Sequence, residues 1–389
     1  MKPNTKIPCV FMRGGTSKAL FFHEKDLPED ESLRDKIILS ALGSPDVRQI
    51  DGMGGGTTTT SKVAIIKKSS REGVDIDYTF RQVSPESSIV GKTMNCGNIS
   101  SAVGPFAIDE GLVEAVEPVT SVRVFNTNTN KLMVLHVPVG NGRALTEGNF
   151  EIDGVPGTGA KIQIEFSNPQ GAVSGRLLPT GSPLDTIVID GKTYEYSLLD
   201  VGNPTVFVRA EQFGLSGLEL PAEFEALPDS GEICRLLEII RGTCAISLGL
   251  ASDLEDAAVN SQTLPKISLC TTSKDYTAGD GRLIKKESVD YVGRMFSLGM
   301  KMIQAHMALP GICALAAANL PGSVINRLLR ESSCGGAKFE SLRIGHPFGI
   351  MEVDGRLAEN AEGGYDVTCG MIGRTARRLM EGFVYVREG

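Results

Sequence analysis

Two stretches leave this chain little freedom in how it can fold. Residues 99–107 and 312–320 are long enough for two or three helical turns, consist mainly of small and apolar residues, and are apolar almost all round. A helix without a polar face must be covered on every side. Two such helices, far apart in a chain of 389 residues, require two cores, each wrapped around its own helix.

The segments around the two helices recur in the same order. Ser61-Lys62-Val63-Ala64-Ile65-Ile66 resembles Pro265-Lys266-Ile267-Ser268-Leu269-Cys270. Asp77-Tyr78 with Arg81 resembles Asp290-Tyr291 with Arg294. Cys96-Gly97-Asn98 leads into one buried helix and Pro310-Gly311 into the other, and an Arg-led strand with an internal turn follows each, over 123–130 and 343–349. This shared order reads as a duplication. Short runs rich in Val, Ile, Leu and Phe predict strands over 6–12, 18–22, 62–67, 122–125, 131–137, 161–166, 186–190 and 205–208. Helices are expected over 31–42, 231–250 and 288–308. The fold class is therefore α/β (α+β). Two similar domains are expected, 1–181 and 182–389, each a curved, mostly antiparallel sheet around a central helix. The boundary falls near Leu177-Leu178-Pro179-Thr180-Gly181, with the last strand free to return to the first domain.

Composition narrows the function. A net charge of −8 argues against a nucleic-acid binder, which needs a basic face. No apolar run approaches the ~20 residues that span a bilayer. The opening residues lack a signal-peptide core, and the eight cysteines form no C-x-x-C pair. Reduced thiols and a cytoplasmic location are expected. The four histidines, His23, His136, His306 and His346, show no metal-ligand spacing, so no metal is expected. Gly154-Val155-Pro156-Gly157-Thr158-Gly159 only superficially matches a dinucleotide loop, because it contains proline and no helix follows it.

Several places offer chemistry. In Asn95-Cys96-Gly97-Asn98 the cysteine stands just before a helix. A helix N-terminus presents unpaired N–H groups and partial positive charge, which favour thiolate over thiol and can hold a carboxylate. The alternative is a buried structural cysteine. Lys62 leads an apolar strand, where desolvation can make a lysine a neutral base; the alternative is a lysine on an exposed strand face. Arg13-Gly14-Gly15-Thr16-Ser17-Lys18 joins two strands with free backbone and hydroxyls at Thr16 and Ser17, a loop suited to carboxylate oxygens. The run 51–60 is a second loop rich in glycine and threonine. His306 and His346 adjoin turns in the second half that match possible site turns in the first.

Taken together these motifs resemble the 2-methylaconitate cis-trans isomerase family, which has the diaminopimelate-epimerase-like fold. The resemblance runs along nearly the whole chain. It rests on Met12 to Lys18, Ser61-Lys62-Val63-Ala64, Asn95 to Ser100, Val103 to Ala107, Gly154 to Ala160, Asn203-Pro204, Pro265-Lys266, Gly345-His346-Pro347 and Arg374-Thr375-Ala376-Arg377-Arg378. It implies an active site between two domains, no cofactor, and a catalytic pair of Lys62 and Cys96. Epimerases of this fold place a cysteine at each central-helix start. Here the second helix is expected to start at Pro310-Gly311, with Cys313 inside its first turn, so a two-thiol mechanism is not expected. The activity implied is an allylic proton shift in a small unsaturated polycarboxylate. The chain looks most like the 3-methylitaconate Δ-isomerases, which form 2,3-dimethylmaleate; 2-methylaconitate isomerisation and 4-oxalomesaconate tautomerisation are the alternatives. Carboxylates would lie on N–H groups at Gly97, Asn98, Gly311 and Ile312, with Asn95, Thr16, Ser17 and His306 also binding substrate. No nucleic-acid or membrane partner is expected, and a homo-oligomer is compatible. A dicarboxylate-binding protein without activity is the rival from another class.

Overall fold

The computed structural model describes residues 5–92, 96–332, 338–359 and 365–387. The chain divides into two units, Met1–Glu165 with Gly373–Gly389, and Phe166–Ile372. The division falls within the strand Ile162–Ser167, upstream of the segment 177–181.

The first unit contains β1 (Thr5–Gly14), β2 (Ser17–His23), α1 (Glu31–Leu42), β3 (Lys62–Lys68), β4 (Ile76–Val83), α2 (Gly97–Asp109), β5 (Val119–Asn126) and β6 (Lys131–Gly140). The strand Ala376–Val386 pairs with β1. From there the sheet runs β1, β2, β3, β4, β5, β6, antiparallel except for parallel steps at β2–β3 and β4–β5. Helix α1 starts at Asp30, whose carboxylate accepts the Leu33 N–H at 2.8 Å, and stops at Gly43 in the left-handed conformation. Its Ile37, Ile38, Ala41 and Leu42 pack on Leu20, Phe22, Val63 and Ile65 from one face of the sheet. Helix α2 covers the other face, and Ile99 through Ile108 are all buried. Each fully covered Ile, Val or Phe contributes roughly 1.5–3 kcal/mol, so α2 is the main anchor of this unit.

The second unit contains β7 (Asp185–Ile189), β8 (Lys192–Leu199), β9 (Thr205–Arg209), α3 (Ser230–Ser247), β10 (Lys266–Thr272), β11 (Tyr291–Ser297), α4 (Ala308–Ala318), α5 (Val324–Glu331), β12 (Ser341–His346), β13 (Gly349–Glu359) and β14 (Tyr365–Arg374). The strands run in that order, antiparallel except at β9–β10 and β11–β12. Helix α3 packs Ile233, Leu237 and Ile240 on Val206, Val208, Ile267 and Leu269. Helix α4 is the second all-apolar helix. Gly311 lets it approach β13, since a Cβ there would lie 2.3 Å from the Met351 side chain.

Both units share one wiring, in which hairpin, parallel step, hairpin, parallel step and hairpin follow in turn. Each second parallel step begins with the same clamp. Arg123 donates its backbone N–H and its Nε to one oxygen of Asp75 (2.8 and 3.1 Å) and its terminal nitrogen to the other (2.9 Å). Arg343 does the same to Asp290, at 2.7, 3.4 and 2.7 Å. The structural counterpart of Asp290 is therefore Asp75, not Asp77, and the sequence superposition is two residues out of register on this strand. A slip of two keeps every side chain on its face, so the burial pattern does not betray it.

Two further expectations are corrected. The segment 288–308 is not a helix; it holds β11, the two-residue strand Lys301–Met302 that pairs back on it, and short turns. Tyr291 to Phe296 are buried on both faces, and a continuous buried run of that kind has no periodicity to separate strand from helix. Helix α4 begins at Ala308, two residues before the expected Pro310. Among the described residues no helix is long and apolar enough to cross a membrane.

Candidate active site

Only Gly15 and Thr16 separate β1 from β2. Gly15 takes φ +50, and a Cβ there would lie 2.2 Å from Asn98 Oδ1; one on Gly14 would lie 2.6 Å from the Asn98 carbonyl. The glycine pair thus lets the turn rest directly on the first turn of α2. Gly15 N–H donates to Thr375 O at 2.9 Å, and Arg13 donates to the carbonyls of Gly15 and Thr375. Asn98 donates through Nδ2 to Thr16 Oγ1 at 2.9 Å, and its Oδ1 accepts from Arg374 Nε at 3.2 Å. An arginine can only donate, so this contact fixes which way the amide faces.

Cys96 is the N-cap residue of α2 and is half-buried. Its carbonyl accepts the Ser100 N–H at 2.9 Å and the Ser100 hydroxyl at 3.0 Å. The N–H groups of Gly97 and Asn98 lie in the first turn, where no intrahelical acceptor exists. Arg374 and Tyr78 both lie within electrostatic reach of Cys96. Burial pushes the Arg374 guanidinium down to about 10, with Cys96 pulling the other way, so it remains a cation at neutral pH. Burial holds the Tyr78 phenol well above its ordinary value, so it stays neutral.

Lys62 leads β3 and is buried, 7% exposed. Its parallel partner is Ala19, two residues beyond Ser17, so Lys62 stands at the same end of the sheet as the β1–β2 turn and the start of α2. Val63 and Ile65 face α1. Alternation along the strand then turns Lys62 to the face that α2 covers. Its Nζ donates to Gln82 Oε1 and lies 5.3 Å from the centre of the Phe80 ring. Gln82 in turn donates to the carbonyls of Thr58 (3.0 Å) and Ser61 (3.1 Å). The threonine-rich loop therefore braces the partner of Lys62, while the hydroxyls of Thr57, Thr59 and Thr60 bond one another. Ser17 is buried at 2% exposure.

In the second unit His306 is buried, with Nδ1 3.0 Å from Met307 O. Gly311 N–H donates to Met307 O at 3.1 Å, one turn inside α4, and Ile312 is fully buried. The outward N–H groups at this helix start belong to Ala308 and Leu309 instead. Met307 occupies the N-cap position that Cys96 holds in α2. Lys266 leads β10 opposite Thr205, as Lys62 leads β3 opposite Ala19. Burial, together with the charge of Arg241, brings Lys266 down to about 8. Asn95 lies outside the described residues. Sequence reasoning did not place Gln82 or Arg374 in the site; Arg374 stood within a recognised motif but carried no assigned role. Among the described residues no group of three or more His, Cys, Asp or Glu is placed to hold a metal ion.

Comparison with known proteins places the whole chain among isomerases of one family. The chain is 40% identical to a 3-methylitaconate isomerase of Eubacterium barkeri, over 100% of this chain and 99% of that protein. It is 37% identical to a 2-methyl-aconitate isomerase of Shewanella oneidensis, over 99% and 98%. A crystal structure of methylitaconate-delta-isomerase superposes with a TM-score of 0.85 at 41% identity, covering 99% of this chain and 96% of that one. The model of the family described as PrpF protein matches residues 4–387, and the chain belongs to that family.

Proposed function

We propose that this chain is an isomerase that converts 3-methylitaconate to 2,3-dimethylmaleate without a cofactor, with Lys62 and Cys96 as its proton-transfer pair. The observation that carries the reading is the convergence in the first unit: a thiol at the start of α2, a buried lysine at the same end and face of the sheet, and a guanidinium bonded to Asn98 in the first turn of the helix. Such a mouth suits an anionic substrate. The relatives at 40% and 37% identity are themselves named isomerases of small unsaturated polycarboxylates.

The chemistry is the loss of a proton from the carbon bearing the methyl group, next to a carboxylate, and the return of a proton to the methylene carbon, which becomes a second methyl. Two C–H bonds change and the net charge does not. A carboxylate stabilises the adjacent carbanion poorly, so donors must meet the growing charge on its oxygens. The N–H groups of Gly97 and Asn98 and the hydroxyls of Thr16 and Ser17 would supply them. One member of the Lys62–Cys96 pair takes the proton and the other returns one.

The test is proton NMR in heavy water with 3-methylitaconate, 2-methylaconitate and 4-oxalomesaconate offered separately. The expected result is loss of the methylene signals of 3-methylitaconate and growth of deuterium-labelled dimethylmaleate. Lys62→Ala and Cys96→Ala should each be slower by at least ~10²-fold. Preference for another of the three acids would replace the substrate, and binding without exchange would remove the isomerase reading.

A further inference from the structure

We propose that Arg374 is a catalytic residue of this site, the cation that receives the substrate carboxylate on which charge gathers as the proton leaves. This rests on the isomerase reading of the same site.

The case starts from how half-buried Arg374 differs from the two most buried arginines, Arg241 and Arg294. Arg241 joins Glu238 and the carbonyls of Ala257, Ser261 and Leu264. Arg294 joins the carbonyls of Leu218, Glu219 and Gly293. Arg241 ties α3 to the segment that follows it, and Arg294 ties β11 to the loop at 218–219. Arg374 instead bonds to a side chain of the mouth itself, Asn98, two residues past Cys96, while its second nitrogen is held by the Gly373 carbonyl at 2.8 Å. Those two contacts fix the plane of the guanidinium. Asn98 passes the restraint on to Thr16, so cation, helix start and hydroxyl form one chain of bonds.

Arg13 and Lys62 are further cations at this end. Arg13 is bonded to the Gly15 and Thr375 carbonyls, and Lys62 to Gln82. Tyr78 stays neutral. A guanidinium offers two parallel N–H donors that match a carboxylate. Held in a partly buried site, its charge acts more strongly than it would in water. The reaction adds negative charge to a carboxylate, and Arg374 is the fixed cation beside the thiol that reacts.

The test compares Arg374→Gly, Arg374→Lys and Asn98→Ala, with methylsuccinate as a ligand that binds but cannot isomerise. Arg374→Gly should lower kcat/KM on 3-methylitaconate by about 10²–10³-fold, the usual loss for one such donor. Methylsuccinate should no longer raise its Tm. Added guanidinium ion should restore part of its turnover, and should not help Asn98→Ala. Arg374→Lys keeps the charge but loses the fork, and should keep the wild-type Tm while KM rises at least ~10-fold. Wild-type KM in Arg374→Lys, or methylsuccinate binding unchanged in Arg374→Gly, overturns the proposal. If the wild type binds methylsuccinate yet isomerises none of the acids, the isomerase reading fails, and the methylsuccinate affinities of the variants still decide whether Arg374 holds a carboxylate.

Discussion

Replacing Lys266 with methionine should stabilise the protein at neutral pH and lose that advantage in alkali. Lys266 stands at the head of β10, where burial and the Arg241 charge lower its affinity for a proton from the ordinary 10.5 to about 8. In the unfolded chain the same group titrates near 10.4. Between those values the unfolded state binds more protons than the folded one, so the Lys266 term raises stability as pH climbs through this window. Below pH 8 the folded state holds a charged lysine where charge is disfavoured, at a cost of about 3 kcal/mol from the size of the drop. Urea unfolding of wild type and Lys266→Met at pH 7, 8.5 and 10.5 would read this directly. Other titrating groups are common to both proteins and cancel in the difference. The variant should be the more stable by roughly 2–3 kcal/mol at pH 7, with most of the gap closed at pH 10.5. A difference that does not change with pH would refute the reasoning, because methionine packing alone gives a constant offset.

Gly15→Ala should lower stability by about 1–3 kcal/mol, because the new methyl would meet Asn98 at a backbone angle that disfavours side chains. A thermal melt and a KM both unchanged from wild type would show that the turn is not held against α2. Iodoacetamide at neutral pH should modify half-buried Cys96 well before Cys270 and Cys313, whose thiols burial pushes up to about 12. Methylsuccinate should slow the reaction at Cys96. Peptide mass spectrometry would check both points, and a Cys96 slower than Cys313, or unprotected, would place it outside the mouth.

The features legible in the sequence are those with a local signature. The two all-apolar helices announce their burial, and the strands at Lys62 and Thr205 are bounded by turn residues. The apolar residues after Lys62 mark a strand but leave its own face open, and Cys96 reads as a helix start because glycine and asparagine follow. What stays hidden depends on partners distant in the chain. Arg374 meets Asn98 across 276 residues, and no pattern around either residue reports that contact. Gln82 looks like one more polar residue on a strand until β3 and β4 are paired. The register of the duplication is two residues off on one strand because alternation repeats every two residues; the strand pairing and the Asp75–Arg123 and Asp290–Arg343 clamps fix it.

Those clamps also bear on the order in which the molecule assembles. Asp75 and Arg123 are 48 residues apart, Asp290 and Arg343 are 53 apart, and each pair closes a parallel crossover with a central helix inside it. Closing a loop of that length costs about 3–4 kcal/mol in chain entropy before any contact compensates. An ion pair as open to water as Asp75 and Arg123, 22% and 53% exposed, contributes at most about 1 kcal/mol. The clamp therefore cannot nucleate its crossover; burial of α2 must come first, and the ion pair seals a register already chosen. Cys96 begins the helix on which that sequence of events depends. The end of the helix that carries Cys96 is continuous with a segment buried from Ile99 to Ile108, so it cannot fray as a surface loop does without opening the core beneath it.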